Sequence, residues 1–209
     1  MKTRLTLLRH GQSQANADGI LQGQSDWPLS ELGRQQSDDL AAHWASTGVT
    51  FTSIISSPLT RALDTATAIA SQLDSPVEED PQLMERKWGR FEGQTLTQIQ
   101  HYFQDHPPLT LFDHVPPDGE SFWQLYARAG SSLQGLLRRE PASYLVVSHG
   151  GLLAAMHMIA LQIAPALRPL SGPKITLDNC GFSTLEYDHD RPRWTLHQVN
   201  ASVNSPSAE

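Results

Sequence analysis

Two apolar runs, residues 3–8 and residues 144–148, each break off at a histidine followed by glycine: Arg9-His10-Gly11 and His149-Gly150-Gly151. Runs that short and that uniformly apolar suit strands buried on both faces. The glycines let the backbone turn sharply away from the sheet. Helical spacing fills the stretches between. Ser30 is a candidate N-cap with Glu31 in the first turn, and Leu32, Leu40, Ala41 and Trp44 share one side of a helix reaching Thr47, with Gly48 as its stop. Residues 51–56 read as a second strand. Ser57 as N-cap and Pro58 as first helical residue then open a helix to Leu73 with Ala62, Ala66 and Ile69 on its apolar face. Residues 76–78 form a short third strand leading to Glu85, and Ser121 with Gln124 forms a capping box for a helix to Arg139. Residues 151–163 are helical, and residues 174–178, 182–187 and 193–199 are weaker strands. Strands alternating with helices predict an α/β fold, a three-layer α/β/α arrangement around a mostly parallel central sheet.

Residues 87–120 break the pattern. They are rich in Gly, Pro, His and aromatic residues, with one short helix from the Thr95 and Gln98 capping box and four prolines between His106 and Gly119. The segment reads as a small helical and loop insertion over the active site, with Trp88, Phe91, Phe103, Phe112, Phe122 and Trp123 as core or pocket wall. A chain of 209 residues then suits one domain over residues 1–200 and a disordered tail over residues 201–209. The formal net charge of −7 argues against nucleic acid or anionic membrane as partners. No apolar stretch approaches the ~18 residues of a membrane span, and the N-terminal run is too short for a signal peptide. Cys180 is the single cysteine and cannot form an intrachain disulfide. A cytoplasmic protein is the expectation, as monomer or homodimer.

Ligands of open α/β sheets bind beyond the carboxyl ends of the strands. Arg9 and His10 follow the first strand, Arg61 lies in the first turn after the second, Glu85 follows the third, and His149 follows the run at 144–148. Two His, two Arg and one Glu therefore converge on one edge of the sheet. Phosphoryl transfer needs this chemistry. A neutral imidazole attacks phosphorus, Arg forks hold the nonbridging oxygens, and a carboxylic acid protonates the leaving oxygen. Backbone N–H groups at the glycines after His149 suit an anion at a helix N-terminus. The other histidines (His43, His101, His106, His114, His157, His189 and His197) read as surface or core, and no carboxylate or cysteine joins His149 and His157 to make a metal set.

Leu7-Leu8-Arg9-His10-Gly11-Gln12-Ser13 with Asn16 resembles the defining motif of the histidine phosphatase superfamily, also called phosphoglycerate-mutase-like. Further blocks are similar and in order: Gly23 and Asp26 with residues 28–35, residues 56–66 around Arg61, Leu83-Met84-Glu85 with residues 89–93, Gly119-Glu120-Ser121, and Val147-Ser148-His149-Gly150-Gly151. The resemblance implies His10 as nucleophile and Glu85 as proton donor and acceptor. It implies Arg9, Arg61 and His149, with Asn16 and Gly150 as weaker contacts, as the phosphate site, and no metal or cofactor. Gln22 and Gly23 fall where relatives contact substrate, and Arg86 and Lys87 are further substrate candidates. The implied reaction is metal-independent hydrolysis of a small phosphorylated metabolite through a phosphohistidine. The alternatives are a cofactor-dependent phosphoglycerate mutase and a non-catalytic regulator that binds a phospholigand. No Lys or Arg occurs between Phe91 and Ala127, which disfavours a mutase, because a doubly phosphorylated intermediate needs extra cations.

Overall fold

The computed structural model describes residues 1–106, 117–165 and 174–203. The central sheet has six strands: β1 (Lys2–Arg9), β2 (Ser53–Ser56), β3 (Val77–Glu79), β4 (Ser143–Ser148), β5 (Phe182–Asp188) and β6 (Arg193–Ala201). Their order is β3-β2-β4-β1-β5-β6. The four strands from β3 to β1 run parallel, and β5 and β6 add an antiparallel margin.

The parity of each buried strand decides which layer it feeds. Leu8, Ile54, Leu145 and Val147 point to one face, where α2 (Glu31–Ser46) and α3 (Thr60–Leu73) cover them with Leu40, Ala41, Trp44, Ala62, Ala66 and Ile69. Leu5, Leu7, Ile55 and Val146 point to the other, under α5 (Phe122–Leu137) and α6 (Gly150–Ala160). Each fully buried aliphatic side chain contributes about 1.5–3 kcal/mol, which makes β1 and β4 the spine of the molecule. The chain leaves β1 for α2 on one face and leaves β4 for α6 on the other. Between these neighbouring strands, connections diverge and a crevice opens at their carboxyl ends.

Several local expectations meet their physical limits here. Ser57 does not cap α3. The helix starts at Thr60 with Leu59 at the N-cap and no side-chain bond from it, and Pro58 lies ahead of the helix. The cap comes from far away: Asp26 accepts from the Thr60 amide at 2.8 Å and from its hydroxyl at 2.6 Å. Residues 174–178 form no strand; the chain joins the sheet beside β1 only from Phe182, as β5. The last helix ends at Ala160, short of residue 163, where Gln162 turns left-handed and the Ile163 amide reaches back to the Met158 carbonyl. A one-turn helix α1 (Gln14–Ala17), capped by a Ser13 and Asn16 box, follows the turn after β1. Ser30, Thr95 and Ser121 cap α2, α4 (Leu96–Asp105) and α5. Ala201 ends β6 instead of opening a tail. Residues 107–116 of the expected insertion, including Phe112 and His114, and residues 204–209 of the expected tail lie outside the described residues.

Candidate active site

The register of the sheet builds the site. Arg9 of β1 pairs with Ser148 of β4, so His10 and His149, one step beyond, stand side by side. Their rings meet edge to face at 5.0 Å between centroids. Arg9, His10, Asn16, Gln22, Arg61, Glu85 and Gly150 line one cavity of about 250 Å³. His149 is fully buried beside it.

The ring nitrogens of His10 have distinct roles. Nδ1 lies 2.6 Å from the Gly11 carbonyl, which only accepts, so Nδ1 carries the proton and the Nε2 lone pair is free. Burial holds the His10 pKa well below the usual imidazole range, and the charges of Arg61 and Arg9 lower it further, against a smaller opposing effect of the Gly11 bond. The resting residue is a neutral imidazole.

His149 follows the same logic through Ser57. The Leu59 amide donates to the Ser57 oxygen at 3.3 Å, and the Ser57 hydroxyl, with its own proton to give, lies 2.8 Å from Nε2 of His149. With Nε2 as acceptor, Nδ1 of His149 bears hydrogen, and that buried atom has no hydrogen-bond partner among the described residues. Burial, then Arg61, His10 and Arg9, keep this ring neutral too.

Arg61 is 1% exposed and is held by the backbone: Nη1 donates to the Ser25 carbonyl at 3.0 Å and Nη2 to the Gly23 carbonyl at 2.8 Å. Burial lowers its pKa to about 10, so it remains a cation at neutral pH. Arg9 donates from Nη1 to the Leu177 carbonyl at 2.6 Å. The Nε atoms of both arginines are buried without a hydrogen-bond partner among the described residues. Asn16 presents its oxygen to Ser13 and to Nδ2 of Asn179, so its own amide N–H groups are left for the cavity.

Glu85 is tied at both oxygens. Oε1 accepts from the Arg86 amide at 2.8 Å, and Oε2 from the Gly151 amide at 2.9 Å, one of the exposed donors at the start of α6. A Cβ on Gly151 would lie 2.5 Å from Oε1, so only glycine admits the carboxylate at this distance. Arg128 braces the loop beneath. It donates to the carbonyls of Gln82 (2.8 Å), Met84 (2.6 Å) and Glu85 (3.1 Å), and grips both carboxylate oxygens of Glu120 at 3.0 and 2.8 Å. Oε1 of Glu92 accepts from the amides of Gln24 and Trp88, and clamps the loop that holds Arg61 to the cavity wall.

Three of the residues expected from the sequence have other placements. Gly23 contributes its carbonyl to Arg61 rather than a surface to the cavity. Arg86 is buried, donates from Nε to the Glu120 carbonyl at 2.8 Å and packs its guanidinium 4.1 Å from the Trp88 ring centre. Lys87 is exposed, and neither it nor Arg86 lines the cavity. Gln22 lines it, with its oxygen taken by the Ser13 hydroxyl at 2.8 Å. Sequence reasoning missed Ser57, Asn179, Glu92 and Arg128. Ser57 was visible as the first residue after a buried strand, but Arg128 sits in mid-helix with nothing local to mark it. Among the described residues no three His, Cys, Asp or Glu side chains cluster as a metal site requires, and no helix is long and apolar enough to cross a membrane.

Comparison with known proteins is consistent across sequence and structure. A family model described as histidine phosphatase superfamily (branch 1) matches residues 5–201. Glucosyl-3-phosphoglycerate phosphatase of Mycobacterium tuberculosis (strain ATCC 25618 / H37Rv) is 32% identical over 224 residues, covering 98% of this chain and 97% of that protein. A probable phosphoglycerate mutase GpmB of Enterobacter sp. (strain 638) is 34% identical over 185 residues, covering 87% and 83%. Among solved structures, a mycobacterial glucosyl-3-phosphoglycerate phosphatase in complex with VO3 superposes with a TM-score of 0.80 at 31% identity, over 96% of this chain and 100% of that one. Bacillus stearothermophilus YhfR superposes with a TM-score of 0.81 at 28% identity, over 96% and 98%.

Proposed function

The chain belongs to the histidine phosphatase superfamily, and on that premise we propose that it hydrolyses small phosphomonoesters through a phosphohistidine on His10, without a metal, in the cytoplasm. The observation that carries the reading is the Nδ1 bond of His10 to the Gly11 carbonyl, which leaves a neutral Nε2 lone pair beside Arg9 and the buried Arg61. Nε2 attacks phosphorus and the bond to the ester oxygen breaks. Glu85, as the carboxylic acid, gives its proton to the departing alkoxide. Arg9, Arg61, Asn16 and Nδ1–H of His149 hold the nonbridging oxygens, with the amide at Gly150 as a further donor. Glu85, now ionised, takes a proton from water. The resulting hydroxide attacks phosphorus, the P–N bond breaks, and the Nε2 lone pair is restored with inorganic phosphate released. The structural relative that holds VO3 supports an oxyanion in this site.

Hydrolysis is favoured over mutase chemistry by the absence of Lys and Arg between Phe91 and Ala127. The test is direct. His10→Ala folds but loses nearly all phosphate release from p-nitrophenyl phosphate. Wild type mixed briefly with substrate carries an acid-labile, alkali-stable phosphate on His10, and EDTA leaves turnover intact. Substantial activity in the alanine variant overturns the mechanism. Interconversion of 3- and 2-phosphoglycerate far faster than phosphate release transfers the assignment to a mutase.

A further inference from the structure

Beyond the phosphoryl group, the described residues of the cavity wall are Ile20, Leu21, Trp88, Ile175 and Leu177, with Gln22 and Thr176 as neutral polar groups. Ile20 and Leu21 come from the loop after α1, Trp88 from the segment after Glu85, and residues 175–177 from the stretch ahead of β5. These elements are locked to one another. The Leu21 amide donates to the Gln94 carbonyl at 2.9 Å, the Gly93 amide to the Leu21 carbonyl at 2.9 Å, and Leu177 is tied to Arg9. The apolar wall is therefore built into the site.

The charges close on the phosphate alone. Among the described residues, Arg9 and Arg61 are the cations lining the cavity, and together they match the two negative charges of a phosphomonoester. Arg86 is engaged behind Trp88, and Lys87, Arg90 and Lys174 are exposed away from the lining. Gln22 offers amide donors, since its oxygen already accepts from Ser13. A neutral amide serves a hydroxyl well but does not offset the charge of a buried carboxylate.

Building on the hydrolase reading above, we infer that this site selects phosphomonoesters of uncharged alcohols with an apolar face, and discriminates against alcohols that carry a carboxylate. The apolar wall favours the alcohol by removing its hydrocarbon surface from water. A carboxylate placed there loses its hydration, and the lining cations Arg9 and Arg61 are already engaged by the phosphoryl group.

The experiment compares kcat/KM for phosphate release from 2-phenylethyl phosphate, glycerol 3-phosphate and 3-phosphoglycerate, all esters of primary alcohols, in wild type and in Ile175→Arg. In wild type the phenylethyl ester exceeds glycerol 3-phosphate by about 10-fold and 3-phosphoglycerate by about 100-fold or more. Ile175→Arg places a cation on the wall and raises 3-phosphoglycerate relative to the phenylethyl ester by about 10-fold. If either polar ester matches the phenylethyl ester in wild type, or if Ile175→Arg leaves the order untouched, the inference falls while the hydrolase reading stands. Release of phosphate from none of these esters, nor from p-nitrophenyl phosphate, overturns the hydrolase reading and this inference with it.

Discussion

The chemistry proposed for this site depends on which nitrogen of each imidazole carries its proton, and neighbours decide that. A backbone carbonyl decides it for His10, and no substitution at Gly11 would remove that acceptor. A hydroxyl decides it for His149, and Ser57 is replaceable. Without the Ser57 hydroxyl, His149 is free to take the other tautomer and to turn a lone pair toward the phosphoryl oxygens. A lost buried hydrogen bond of this kind costs about 1–3 kcal/mol. Ser57→Ala should therefore lower kcat/KM for p-nitrophenyl phosphate roughly 10- to 100-fold, while Ser57→Thr, which keeps the hydroxyl, retains most of it. Wild-type kinetics in the alanine variant would remove Ser57 from the account. Glu85→Gln tests the proton step at the same scale. Alkyl phosphates should lose far more rate than p-nitrophenyl phosphate, whose leaving oxygen needs little protonation.

At the scale of elements, Glu85 is placed by pieces remote in sequence. The start of α6 supplies the Gly151 amide, and α5 supplies Arg128, whose fork spans the carbonyls of residues 82, 84 and 85. The Ser148 hydroxyl ties the same loop to β4 through the Leu83 carbonyl at 2.7 Å. Lys cannot reproduce a planar fork that grips Glu120 and three carbonyls together. Arg128→Lys should keep p-nitrophenyl phosphate hydrolysis within about 3-fold of wild type but slow alkyl esters by roughly 30-fold or more, because the general acid is displaced while the nucleophile is not. Equal losses on both substrate classes would show that Arg128 merely supports the fold. Gly151→Ala should give the same selective defect, since its methyl group occupies the place of the carboxylate.

At the scale of the whole molecule, the buried histidines link catalysis to stability. Burial depresses the pKa values of His10, His149 and His157 in the folded state, with arginine charges adding to the first two. The unfolded chain takes up protons on these rings near pH ~6.5, and the native state does not. Stability is fully present above that pH and falls as the pH drops from ~6.5 toward the depressed folded values, by up to about 1.4 kcal/mol per pH unit for each ring. Urea unfolding followed between pH 7.5 and pH 5 should show this slope. His157→Leu should reduce it, because His157 Nδ1 bonds the Leu153 carbonyl at 2.7 Å and its Nε2 has no hydrogen-bond partner among the described residues. An identical slope in that variant would exclude His157 from the linkage. The same depressed pKa values predict that kcat/KM shows no inflection at the ordinary imidazole pKa.

Much of this was legible before any coordinates. The apolar runs at 3–8 and 144–148, the caps at Ser30, Thr95 and Ser121, and the helical stripes on α2 and α3 are local signals, since each reports a backbone preference or a buried face within a few residues. They were sufficient for the α/β class and for the order in which Arg9, His10, Arg61, Glu85 and His149 reach one sheet edge. The tertiary structure decided what depends on partners distant in the chain. Ser57 carries the local mark of a helix cap, yet its hydroxyl belongs to His149, 92 positions away, and the cap is supplied by Asp26. Residues 174–178 have the composition of a strand, but residues 175–177 line the cavity while β5 takes the place beside β1. Arg86 and Arg128 are both charged residues near the acid loop. Only packing determined that one stacks behind Trp88 and the other braces Glu85, because a long side chain reaches in many directions and the fold alone selects which carbonyls await it.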